Sequence, residues 1–138
     1  MIVTTLDPFM LTLGLQAEVP EPGRARVWGV IRPEFLNSWG SAHGGFLYSV
    51  ADAAFALASN SHGTLAVALG AHMEYLQASQ AGAEVEAWAT EVHRGRRTAD
   101  YRVEVRSGPT SPAACQVDPL VSLARSISTT SDHPSLAR

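Results

Sequence analysis

The chain has no lysine: all ten basic residues are arginine, set against thirteen carboxylates. The formal net charge of -3 excludes a protein that coats nucleic acid or an anionic membrane by bulk charge. Codon bias is the plain reading of the missing lysine, and the guanidinium fork, which suits phosphate better than an ammonium does, is the functional one. Cysteine occurs once, as Cys115, so no intrachain disulfide can form and a cytoplasmic location is expected. The N-terminal MIVTTLDPFM carries neither the positive start nor the apolar stretch of a secretory signal. The longest apolar run, Phe46 to Ala58, is too short to span a bilayer and contains an acid. His62, His72, His93 and His133 share no metal-ligand spacing and no cysteine pairs with them, so no metal is expected. Charged residues make up 17% of the chain, below the usual quarter, which points to surface buried between subunits.

What is present suits one domain over residues 1–138. The length is typical and 46% of residues are apolar, enough for a core without staples. Asp7-Pro8 followed by Phe9, Met10, Leu11 and Leu13 predicts a short capped helix. Leu15 to Val19 and Arg24 to Arg32 predict a hairpin about the Pro20–Gly23 turn. In the second strand Ala25, Val27, Gly29 and Ile31 share one face. A Gly-rich loop, Asn37 to Gly45, leads into a helix over Phe46 to Asn60. Leu65 to Leu76 is apolar at both parities and predicts a central strand covered on both sides. Glu84 to His93 and Thr98 to Arg106 continue the strands, the latter with Tyr101, Val103 and Val105 inward. Ser107 to Pro119 is a long Pro-rich connection, Leu120 to Ser128 a weaker last strand, and the tail after Thr129 is expected to be disordered. One long helix followed by a run of strands indicates an α+β domain with an antiparallel sheet.

The chemistry centres on Asp52, the sole charge between Phe46 and Ala58. A carboxylate isolated among Ala, Val and Phe costs several kcal/mol, and on this pattern the helix has no polar face. Two readings stand on the residues alone: a structural acid that caps a neighbouring loop or pairs with an arginine across an interface, or a functional acid. The preceding loop favours the second. Gly44-Gly45 at a helix start leaves backbone N–H groups unpaired at the positive end of the dipole, a donor site for a carbonyl oxygen. His43 is the residue that orders this loop, and Asn37 offers a side-chain amide. Asp52 lies roughly 12 Å along the axis from Gly44, too far for both to hold one carbonyl. The two halves of a site must then come from different subunits, antiparallel across a two-fold axis. The Arg94-Gly95-Arg96-Arg97 cluster falls at a turn between strands, either a solvated hairpin tip or an anion site.

The stretch Asn37-Ser-Trp-Gly-Ser-Ala-His43-Gly44-Gly45-Phe-Leu-Tyr-Ser-Val-Ala-Asp52, with its Ala-Asp-Ala-Ala-Phe-Ala context, resembles the signature of hotdog-fold thioesterases. It is nearest to the phenylacetic acid degradation (PaaI) branch. Gly95-Arg-Arg-Thr98 is similar too, and the resemblance covers Pro8 to Arg106. It implies a hotdog fold, a long helix wrapped by an antiparallel sheet, dimerised edge to edge with shared active sites and paired again into a tetramer. It implies hydrolysis of phenylacetyl-CoA or hydroxyphenylacetyl-CoA-like thioesters, with CoA as part of the substrate and no separate cofactor. Carried over, Gly44 donates its N–H to the thioester carbonyl, Asn37 assists or orders the loop, and Asp52 acts as general base or nucleophile. His43 supports this loop, Gly45 lines the substrate, and Arg96 and Arg97 hold the CoA phosphates. The threonine that some members carry one turn after the acid is Ala56 here, and the Ser107 to Pro119 connection is longer than the family's hairpin. A hotdog hydratase pairs its acid with a helix histidine, and none lies between Ala51 and Asn60. A non-catalytic acyl-CoA-binding module would not need Asp52.

Overall fold

Alanine is placed where a helix must approach a sheet closely, and it is this close approach that shapes the molecule. The computed structural model describes residues 6–108 and 120–128; most of the Ser107 to Pro119 connection and the C-terminal tail lie outside them. A short helix α1 (Pro8–Thr12) is capped by Asp7, whose carboxylate accepts from the Met10 N–H at 2.8 Å. Strands β1 (Gln16–Glu21) and β2 (Arg24–Val30) form the expected hairpin. A 3-10 turn (Pro33–Phe35) and the Gly-rich loop lead into α2 (Gly44–Ser59). Strands β3 (Ala66–Met73), β4 (Glu84–Arg94), β5 (Thr98–Gly108) and β6 (Leu120–Ser128) follow. The six strands make one sheet in the order β1-β2-β4-β5-β6-β3, every pairing antiparallel.

The sheet curls around α2, which packs chiefly on β4, β2 and β5. Facing it are Ala25 and Val27 of β2, Val85, Ala87 and Ala89 of β4, and Ala99, Tyr101, Val103 and Val105 of β5, all buried. Period-two alternation puts these on one face, and the alanines let the helix sit close. From the helix side Phe46, Leu47, Val50, Ala54, Phe55 and Ala58 fill the interface, and Phe55 meets Tyr101 edge to face with centroids 5.5 Å apart. At the far end of α2, Glu91 Oε2 lies 2.6 Å from His62 Nε2 and accepts from Tyr101 Oη at 3.2 Å. Ser61 Oγ accepts from the Gly23 N–H at 2.7 Å. These bonds fix the helix C-terminus to the β1–β2 turn and to the end of β4.

One strand departs from expectation. The segment predicted as a central strand covered on both sides is β3, which spans only Ala66–Met73 and stands at an edge of the sheet. Val67 is 38% and Leu69 55% exposed. Continuous apolarity reports that a strand is buried on both faces, and it does not report by what. Among the described residues β3 has one strand neighbour, β6, and its outer edge is left open.

Candidate active site

The loop before α2 is built by its own side chains. Asn37 Oδ1 accepts from the N–H groups of Trp39 (2.9 Å) and Ser41 (3.1 Å), the Asx geometry that folds a short polar side chain over the following backbone. The Asn37 N–H donates to Ser41 O at 2.8 Å, and the His43 N–H donates to Phe35 O at 2.7 Å. Phe35 stacks on Phe46 with centroids 4.4 Å apart, so the two ends of the loop share one apolar clamp. Asn37 therefore orders the loop with its oxygen, and its amide NH2 has no acceptor among the described residues.

His43 is the N-cap of α2, and its Nδ1 accepts from the Gly45 N–H at 2.9 Å. The ring must be unprotonated at that nitrogen to do so. Both glycines were expected to offer free N–H groups, and only one does. Gly45 is spent on the cap, while the Gly44 N–H has no acceptor among the described residues. The other polar backbone atoms of the pair are also held. Tyr75 Oη donates to Gly44 O at 3.0 Å, and Ser49 Oγ donates to Gly45 O at 2.7 Å. A Cβ on Gly44 would sit 3.3 Å from the Tyr75 ring, and one on Gly45 3.0 Å from His43 Nδ1. Close approach, rather than an unusual backbone angle, favours glycine at both places. The arrangement leaves one free donor at the positive end of a 16-residue helix.

Asp52 lies two turns further on. The apolar helix of the sequence does have an outer face, made of Gly45, Tyr48, Asp52 and the half-buried Ser49 and Ala56. Asp52 is thus exposed in the single chain rather than buried in the core. Large residues at Phe46, Val50 and Phe55 hide this face from a composition reading because alanine is compatible with either side. Asp52 has no hydrogen-bond or ion-pair partner among the described residues. Its pKa is raised above the usual 3.8, first by partial desolvation and then by the negative charge of Asp7. An unpaired carboxylate with a raised pKa is available to take a proton or to attack an electrophile.

Arg96 and Arg97 occupy the exposed turn between β4 and β5. The bonds of Glu91 place that turn at the C-terminal end of α2, whereas Gly44 is at the N-terminal end, beside Ser79 and Gln80. Within one chain the Gly44 loop, with Asn37, His43 and Gly45, comes together; Asp52 is separate from it, and the arginines are further still. Tyr75 and Asp7 were missed as site residues. Tyr75 follows β3 and is 31 residues from Gly44, with no spacing rule to connect them; Asp7 read only as a cap. Among the described residues no group of three or more His, Cys, Asp or Glu is placed to hold a metal ion, and no described helix is long and apolar enough to cross a membrane.

Comparison with known proteins fits this geometry. An Archaeoglobus fulgidus protein provisionally assigned as an esterase is 46% identical over 85 residues, 62% of this chain and 55% of that one. The chain thus spans little more than half that relative's length. The acyl-coenzyme A thioesterase PaaI of Escherichia coli is 38% identical over 99 residues, 72% of this chain and 71% of that one. A structure of the phenylacetic acid degradation protein PaaI from Thermus thermophilus superimposes with a TM-score of 0.77 at 47% identity, covering 88% of this chain and 98% of that one. With the helix-in-sheet architecture these likenesses establish the hotdog fold. Residues 40–114, from the Gly-rich loop through α2 to β5, match the model of the Thioesterase superfamily, and the chain belongs to that family.

Proposed function

We propose that the protein is an acyl-CoA thioesterase that works as a homodimer with shared active sites. The observation that carries the reading is the single unpaired N–H of Gly44, held on a pinned helix start. This is the geometry that polarises a carbonyl oxygen and stabilises the charge it gains in a tetrahedral intermediate. The matching carboxylate is Asp52, supplied from the other subunit because the two lie about 12 Å apart along one helix. The exposed apolar edge of β3 is suited to edge-to-edge pairing of two sheets, and a tetramer of two such dimers is the proposed full assembly.

In the general-base form, Asp52 accepts a proton from water as the water oxygen bonds to the thioester carbon. The carbonyl oxygen takes up the electron pair and leans on the Gly44 N–H. Collapse breaks the C–S bond, and the proton held on Asp52 passes to the departing CoA sulfur. In the nucleophile form the carboxylate attacks the thioester carbon, the C–S bond breaks to release CoA as thiolate, and water then cleaves the mixed anhydride to free acid and the Asp52 carboxylate, its proton neutralising the thiolate. The raised pKa of Asp52 serves either role, since basicity and nucleophilicity rise together. Neither route needs a cofactor. Arg96 and Arg97, at the end of α2 remote from their own Gly44, fall beside the partner's Gly44 loop if the helices run antiparallel, where they would hold the nucleotide phosphates.

Likeness to two PaaI proteins supports phenylacetyl-CoA or a hydroxyphenylacetyl-CoA-like ester as substrate. The test is thiol release from phenylacetyl-CoA and from a medium-chain acyl-CoA, with Asp52→Ala and Asp52→Asn alongside. Hydrolysis that disappears in both variants supports the reading. Tight binding without hydrolysis by the unmodified protein overturns it in favour of an acyl-CoA-binding module. A cytoplasmic location accompanies the proposal.

A further inference from the structure

The peptide group between Gly44 and Gly45 is gripped at both ends by side chains from outside the helix. Its carbonyl accepts from Tyr75 Oη at 3.0 Å, and its N–H donates to His43 Nδ1 at 2.9 Å. The peptide group on the other side of Gly44 is fixed as well, because His43 O accepts from the N–H groups of Phe46 (2.9 Å) and Leu47 (3.2 Å). With both flanking planes set, the backbone angles of Gly44 have little freedom, and so the direction of its own N–H is determined. Without such bracing two successive glycines in a first helical turn would sample many conformations.

Tyr75 is the distant member of this brace. It lies just beyond β3, and its ring carbons Cε1 and Cζ are the atoms a Cβ on Gly44 would meet at 3.3 Å. It remains 51% exposed, so core filling does not explain it. Among the described residues its hydroxyl makes one hydrogen bond, to Gly44 O. We propose that Tyr75 is a positioning residue, which locks the Gly44–Gly45 peptide from the end of β3 and thereby aims the free Gly44 N–H at the substrate carbonyl. Edge strand β3 and the oxyanion donor are mechanically coupled through it.

This inference rests on the thioesterase reading only for its kinetic arm. Tyr75→Phe keeps the ring and deletes the hydroxyl, a small change at a half-exposed site. Two quantities are measured: hydrogen exchange of the Gly45 amide by NMR, without substrate, and kcat and KM with an acyl-CoA. The loss of one neutral hydrogen bond predicts about three- to tenfold faster exchange of Gly45 and a similar fall in kcat. KM stays within about twofold, since a donor that acts mainly in the transition state moves kcat. Unchanged exchange overturns the proposal, and so does faster exchange with unaltered kcat. If the unmodified protein hydrolyses no acyl-CoA, the exchange arm decides alone: faster exchange upholds the brace while the thioesterase reading falls, and unchanged exchange removes both.

Discussion

Gly44 and Asp52 stand on one uninterrupted helix, two turns apart, and among the described residues the Gly44 N–H has no acceptor and the Asp52 carboxylate no partner. Neither can reach the other's reactant within a chain. Mixing Asp52→Asn with Gly44→Val chains and refolding them together should therefore restore activity that neither variant has alone. Random pairing yields about a quarter of the unmodified rate, because half the dimers are mixed and each has one intact site. Activity measured on the mixture, with no recovery, would disprove shared sites.

Asp52→Asn should lower kcat by about 10²- to 10⁴-fold, the usual worth of a positioned acid or base. The fold should gain stability at neutral pH. The native pKa of Asp52 is raised, so the ionised form is disfavoured by folding, and that penalty grows as pH rises through the native value. Thermal unfolding should show a higher Tm for the variant at pH 7, with the advantage vanishing near pH 3. The unmodified enzyme should lose kcat/KM on the acid side with an apparent pKa above 3.8.

His43→Ala removes the cap of α2 and should cost about 1 kcal/mol, read from denaturant unfolding. With the Gly45 N–H released, kcat should fall by less than in Asp52→Asn. His43→Asn, a good capping residue, should recover most of the stability.

Leu69→Glu places a charge on the exposed edge of β3, whose side chain is not part of the core. Size-exclusion chromatography should show dissociation to monomers that keep a native circular dichroism spectrum. Activity should drop at least about tenfold, because catalytic groups on separate molecules are no longer held in geometry. A variant that stays oligomeric and active would remove β3 from the interface.

Arg96→Glu with Arg97→Glu should raise KM for a CoA ester about tenfold or more while kcat changes little, the mark of lost ground-state binding. A truncated thioester that lacks the nucleotide should be hydrolysed equally well by both proteins. Equal sensitivity of the two substrates would argue against phosphate binding.

Much of this was legible in the chain. The Asp7-Pro8 cap, the inward alternation of Tyr101, Val103 and Val105, and the helix from the Gly-rich loop to Ser59 all follow from local rules of period, capping and turn chemistry. These depend on neighbours a few residues apart, which sequence order displays directly. The Gly-rich loop ahead of α2 was likewise legible from its composition, and the place of Asp52 two turns from Gly44 follows from helix geometry. Tertiary structure decided the rest. It put β3 at an edge, since strand order depends on which surfaces meet after the chain doubles back. It turned Asp52 outward, since alanine fits either face of a helix. It spent the Gly45 N–H on His43 and brought Tyr75 across 31 residues to grip the Gly44 carbonyl. Hydrogen bonds between distant segments carry no periodic trace in a sequence, so only the folded chain shows that one glycine N–H, and not two, is left free.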